Sequence, residues 1–287
     1  MANARTLVLV LPGWTVRPRN GAPSMSQAAS SRNPQAITPR GVELGGAPPA
    51  SFDVLATARR VLRSARSGAF ATLDPASGFP LSTMVNLATD SDGTPLMLLS
   101  RLALHTRNVE ADPRASLMFA VFGKGDPLAA SERLSVVGRV ERHDEPRALA
   151  RFLSRHPKAR LYAGFPDFAL YRLTVEAAHL NGGFARAGSV TAEELLLAPA
   201  ACAALAEVEE SELARLNAEG AGALRRCATR LLGLRDGRWR ATGLDPEGID
   251  LILADQTARL LYPTLVDGPE ALRAAFAQLE AGLSGAI

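Results

Sequence analysis

The chain has 287 residues, 47% of them hydrophobic and 21% charged, with a formal net charge of +3; that balance supports a buried core and excludes chain-wide disorder or a fibrous repeat. Five Arg against Glu43 make residues 1–50 basic while 198–287 is acidic, so no sustained basic surface speaks for nucleic acid. The two cysteines, Cys202 and Cys227, have no CxxC partner or adjacent His, which excludes zinc ribbons, iron–sulfur clusters and a disulfide framework and points to a reducing, cytoplasmic compartment.

Residues 12–50 are dense in Pro, Gly, Ser, Ala and Asn without an apolar period, so 1–50 reads as a disordered arm, with Met25 a candidate translation start. The apolar run 7–11 is far below the roughly 20 residues a membrane span requires. Asp53 is placed to cap a helix over 53–67, with Gly68 as its terminator. Runs of strand composition follow at 69–73, 81–89, 94–100, 116–122, 134–142 and 168–176. Asp74-Pro-Ala-Ser-Gly78 and Asp90-Ser-Asp-Gly93 serve as hairpin turns between the first three. Helices are expected over 102–111, stopped by Asp112-Pro113, and over 145–154. Six short strands with few helices imply an antiparallel meander closing into a small barrel over 51–197. Residues 198–287 read as a second, α+β domain. It has two helices over 205–233 broken near Gly220, strands over 239–244, 249–254 and 258–262, and a helix over 269–282.

No G-x-G-x-x-G follows a strand, and Gly123-Lys124-Gly125-Asp126 reads as a loop rather than a phosphate cradle. G-x-S-x-G and H-E-x-x-H are absent, and His105, His143, His156 and His179 are scattered singly. Polar residues gather in three places. Ser82, Met84 and Asn86 share one face of the second strand, with Thr83 and Val85 on the other; an ordinary half-buried strand reads the same way. Ser100, His105, Thr106 and Arg107 flank a helix start whose open amides suit an anion, or else form a solvated helix face. Arg133 opens the fifth strand, either as a site residue or as a surface charge.

Together these clusters resemble the FMN-binding split barrel of the pyridoxamine 5′-phosphate oxidase-like superfamily, over about residues 51–190. Pro80-Leu-Ser-Thr-Met-Val85 is similar to the family strand that lies along the isoalloxazine, with Thr83 where the oxidase has Arg. Leu99-Ser100 and His105-Thr106 are similar to the two pairs that hold the FMN phosphate, and Arg133 falls at the family's flavin-contacting Gln. The vitamin B6 substrate residues are not reproduced: Asn181-Gly-Gly-Phe-Ala-Arg186-Ala-Gly188 keeps Arg186 but has Gly188 at the His position. Leu102-Ala-Leu-His-Thr-Arg-Asn108, Asp167-Phe-Ala-Leu-Tyr-Arg172 and Gly183-Phe-Ala-Arg-Ala187 resemble the haem-utilisation branch, whose members commonly carry an extra C-terminal domain. That domain's His-Met-Asn-x-x-His phrase appears as Arg215-Leu-Asn-Ala-Glu-Gly220, with Asn217 kept and both histidines lost.

The resemblance implies a homodimeric oxidoreductase with FMN at the subunit interface and a small-molecule redox partner. The flavin would supply the redox chemistry. Ser82, Thr83, Met84 and Val85 would line the ring, Ser100, His105, Thr106 and Asn108 the phosphate side, and Arg133 would approach from the barrel floor or the partner subunit. No catalytic acid or base is assigned. Two other readings stay open: a haem-binding or haem-degrading protein, with one of the four histidines on iron, and a binding module without cofactor.

Overall fold

Asp53 accepts the Ala56 amide at 2.9 Å and starts the first helix, α1 (Val54–Ser64), as its short acidic side chain favours. The helix ends earlier than expected because Ala65 is already extended, and Gly68 lies inside the first strand rather than terminating the helix. Gly68 is needed there for close packing, since a Cβ would run into the Met118 carbonyl and the Leu87 side chain. The structure, a computed structural model, describes residues 52–122, 131–254 and 256–284. The expected arm over 1–50 with Met25, and the loop over 123–126, lie outside the described residues.

Strands β1 (Ser67–Leu73) and β2 (Pro80–Asn86) form the first hairpin, turning through Gly78 at φ 72°. The expected single strand over 81–89 is two strands: beyond Leu87 the chain continues as β3 (Ala88–Thr89), paired with β4 (Pro95–Ser100). Then come α2 (Leu104–Ala111), β5 (Arg114–Phe122), β6 (Ser131–Arg142), α3 (Pro146–Arg155), β7 (Phe168–Asn181) and β8 (Ala187–Thr191). The sheet has eight strands, not six, ordered β2-β1-β5-β6-β7-β4-β3 with β8 on β7. A plain meander is therefore corrected: β1 pairs with β5 across the sheet, and β4 with β7. Because β2 and β3 occupy opposite ends of this ladder yet are joined through Leu87 alone, the sheet has to curl until its ends approach. That curl makes the split barrel. Phe70, Leu117, Phe119, Leu134, Val136, Leu173 and Leu180 fill it and are fully buried.

The Leu87 corner is held from α3. His156, the C-cap of that helix, puts Nε2 2.8 Å from the Leu87 carbonyl and stacks against Phe152. A carbonyl only accepts, so Nε2 carries the proton. Burial pushes the imidazole down to about 4.

The remaining chain follows the expected order: α4 (Ala192–Leu195), α5 (Pro199–Ala218), α6 (Ala221–Arg226), then β9 (Arg240–Asp245), β10 (Gly248–Leu253), β11 (Gln256–Leu261) and α7 (Pro269–Ser284). These elements make a three-stranded sheet with its own apolar core around Trp239, Ile249, Leu251 and Leu272. Buried ions join it to the barrel-side helices. Asp245 takes two bonds from Arg259 and lies 3.3 Å from Arg63 of α1. Arg151 of α3 pairs with Glu209 and donates to the Thr89 and Leu244 carbonyls.

Candidate functional site

One irregularity in β7 decides what the sheet shows on the face turned away from its core. Tyr171, Leu173 and Val175 point into the barrel, and so do Ala178 and Leu180. The parity changes because Val137 of β6 faces Ala177 while its neighbour Gly138 faces Val175, leaving Glu176 as an extra residue. A bulge of this kind moves every later side chain to the opposite face, and it turns His179 outward. Gly138 permits it: a Cβ there would overlap the Thr174 carbonyl oxygen.

Cross-strand register then aligns six outward residues, Met84, Ala69, Met118, Ser135, His179 and Ser189, in one row from β2 to β8. Met84 is 69% and Met118 40% exposed, with the small Ala69 between them, so the β2 end of the row is apolar, whereas Ser135, His179 and Ser189 make its β8 end polar. His179 Nδ1 faces Ser189 Oγ at 3.5 Å. One step along the strands, Arg133 lies opposite Asn181 and donates to its Oδ1 at 3.0 Å, while its buried Nε–H has no acceptor among the described residues.

The expected site residues divide between the two sides of the sheet. Ser82 and Met84 are outward and exposed, on the same face as Arg133. Thr83 and Val85 face the other way, Thr83 beside Phe70 and Val85 buried. Thr83 Oγ1 meets His105 Nδ1 at 3.1 Å, tying β2 to the first turn of α2. Burial lowers the pKa of His105 and favours its neutral form. Asn108 is buried and donates to Thr72 Oγ1 of β1 at 3.0 Å, so it anchors the helix to the barrel wall. Thr106 is also buried, its hydroxyl without a partner.

The end of β4 carries the decisive electrostatics. Ser100 Oγ donates to Asp167 Oδ2 at 2.5 Å and accepts the Leu102 amide at 3.1 Å. The cations nearby are turned to backbone: Arg101 donates to the Pro166 carbonyl and Arg107 to that of Leu102. A phosphomonoester brought to Ser100 would meet the Asp167 carboxylate, with neutral His105 and, among the described residues, only cations already bonded to backbone carbonyls nearby. As arranged, this corner does not fit the FMN phosphate.

Sequence pattern misses Met118, Ser135 and His179 as a group. Met118 sits in a legible alternation, but the strand read over 168–176 stops before the bulge delivers His179. Asn217 is structural: its side chain donates to the Ala241 carbonyl and accepts the Ala241 amide, at 2.9 and 2.8 Å, fastening α5 to β9. Gly220, at the end of the degenerate phrase, has the Leu216 carbonyl 2.9 Å from where a Cβ would stand.

Comparison with known proteins matches residues 54–182 to the family model described as pyridoxamine 5′-phosphate oxidase. Over residues 54–182 the chain is a split barrel of the pyridoxamine 5′-phosphate oxidase-like type. It is similar to a protein of unknown function from Agrobacterium tumefaciens whose crystal structure shares 41% identity, over 85% of this chain and 99% of that one, with a TM-score of 0.72. Its likeness extends to haem-utilisation proteins. Over 140 residues it is 29% identical to the chloroplastic non-canonical heme oxygenase HOZ of Arabidopsis thaliana, covering 45% of this chain and 40% of that protein. The chain thus spans less than half the length of that relative. A heme-binding protein of Mycobacterium smegmatis is 28% identical over 82% of this chain and 98% of that one, with a TM-score of 0.47. Among the described residues no helix is long and apolar enough to cross a membrane.

Proposed function

We propose that this protein binds haem as its cargo or substrate, on the outer face of the barrel sheet, and works as a homodimer in which a second copy covers the bound ring. The observation that carries this reading is the exposed apolar stretch Met84–Ala69–Met118 on the outward row of the sheet. A porphyrin is a broad planar apolar disc that needs such a face and no phosphate pocket. Asp167 on Ser100 weighs the same way, against a flavin phosphate at the end of β4. The likeness to a heme oxygenase supports haem over vitamin B6 or a free flavin.

In this reading Met84 and Met118 supply polarisable apolar contact, and Ala69, together with Ser116 of the neighbouring row, lets the ring approach the backbone closely. Bound haem would bring the iron chemistry; the protein's own residues bind the ring, orient it and exclude water from its faces.

The test is a Met84→Glu, Met118→Glu double variant. Both side chains are exposed, so the melting temperature should stay within a few degrees of the unmodified chain, while hemin affinity and the dimer are both lost. A double variant that still binds hemin as tightly as before overturns the assignment of this face.

A further inference from the structure

We infer that the loops after β4 and before β7 form a docking surface for an anionic lipid bilayer. Leu102, Leu104, Leu161 and Phe165 enter the headgroup region, and the cations beside them face the lipid phosphates. The inference stands apart from the haem reading and uses another part of the molecule.

Register brings the loops together. Ser100, the last residue of β4, lies opposite Phe168, the first of β7, so the chain leaving one strand runs beside the chain entering the other. Arg101 fastens them: its amide donates to the Asp167 carbonyl at 2.7 Å and its guanidinium to that of Pro166 at 3.0 Å. In the loop before β7, the Phe165 amide donates to the Tyr162 carbonyl at 3.0 Å, and the Phe165 and Tyr162 rings both pack on Phe168. In the loop after β4, Arg107 holds the Leu102 carbonyl at 3.2 Å. Four apolar side chains remain outside this framework: Leu102 is 75% exposed, Leu104 51%, Leu161 79% and Phe165 55%. Single exposed leucines are ordinary surface, but four on two loops bonded to each other make a patch, and such patches mark interaction sites.

Charge chooses the occupant. Segments 101–107 and 157–167 carry Arg101, Arg107, Lys158 and Arg160 against the single carboxylate of Asp167, which Ser100 already engages. The side-chain bonds from Arg101 and Arg107 go to backbone carbonyls, which satisfy a donor and leave its charge uncancelled. Lys158 and Arg160 are exposed. In the 3-10 turn Pro157–Leu161, Lys158 and Leu161 are three residues apart and share a face. Cations around protruding apolar side chains are the pattern that binds an anionic leaflet, each adding affinity through the surface potential. A leaflet responds to their summed field over about a Debye length and needs no directed phosphate seat, so the misfit of a phosphomonoester at Ser100 does not bear on it.

The test is co-sedimentation of the full chain with vesicles of phosphatidylcholine alone and of an equal mixture with phosphatidylglycerol. The unmodified chain should pellet with the mixed vesicles and not with phosphatidylcholine alone, and raised salt should release it. Leu102→Ser with Phe165→Ser should weaken that binding at least about tenfold. Both side chains are exposed, so melting temperature and hemin titration should stay as in the unmodified chain. Lys158→Gln with Arg160→Gln breaks none of the bonds that join the loops and should also weaken binding at least about tenfold. No pelleting of the unmodified chain with mixed vesicles at low salt overturns the proposal, and so does binding that the Leu102, Phe165 variant keeps in full. Equal pelleting with both kinds of vesicle overturns the choice of an anionic surface. If the Leu102, Phe165 variant instead turns a dimer into a monomer by light scattering without lipid, the patch is a protein interface and the bilayer assignment fails.

Discussion

Arg63 of α1 and Asp245 of β9 form a fully buried ion pair, 3.3 Å apart, between the barrel-side helix and the C-terminal sheet. Burial alone would raise the Asp245 carboxyl. Arg259, Arg63 and Arg151 outweigh it and hold the group far below the usual carboxylate range. Its folded value lies below the unfolded value of about 3.9, so its contribution is present at neutral pH and is lost as pH falls below about 4. Asp245→Asn should cost about 3–5 kcal/mol at pH 7, because it leaves buried guanidinium charge uncompensated. It should also flatten the acid limb of the stability curve. Urea unfolding at pH 7 and pH 3 checks both expectations; equal midpoints for variant and parent at pH 7 would refute the first.

His156 predicts a second pH dependence, in a higher window. Its folded value of about 4 lies below the unfolded value of about 6.5, so the neutral imidazole on Leu87 adds stability that is full above about pH 6.5 and declines toward pH 4. Linkage puts the full effect near roughly 3 kcal/mol. His156→Phe removes the bond to the Leu87 carbonyl and should lose this dependence, along with about 2–3 kcal/mol for the stranded acceptor. Melting temperatures measured between neutral and mildly acidic pH, from about 7.5 to about 4.5, follow it across the unfolded imidazole value. Parallel curves for variant and parent would contradict the assignment.

Gly138 supports the bulge that exposes His179. Gly138→Ala should lower stability by about 2 kcal/mol, a drop in melting temperature of roughly 4–8 °C for a chain of this size. If the variant relaxes by restoring regular pairing, His179 turns inward. Gly78→Ala serves as the control: it strains a positive φ in an open turn and should cost about 1 kcal/mol.

The elements that local chemistry specifies are legible in the sequence. Asp53 declares α1, Asp112-Pro113 ends α2, and Asp245-Pro-Glu-Gly248 turns β9 into β10, because caps and turns are written in adjacent residues. What depends on pairing is not. Nothing local at Leu87 shows that one strand becomes two, since the break is enforced by β2 and β3 joining opposite ends of the sheet. β8 is short and holds Gly188, so its propensity is weak and its existence rests on β7. The site suffers most: Ser82 to Val85 read as one wall from their resemblance, but alternation divides them between two faces, and Asn108 is consumed by Thr72. His179 is out of reach because the bulge that exposes it is a property of β6 and β7 together.

Haem on the outer face, in place of FMN at the end of β4, is tested most directly by the visible spectrum of the purified full-length protein titrated in parallel with hemin and with FMN. The expected result is a Soret band that shifts and saturates with hemin, lost in Met84→Glu, Met118→Glu, and no flavin retained with FMN. Saturable FMN binding that Ser100→Ala with His105→Ala weakens, together with no spectral change on adding hemin, would contradict it.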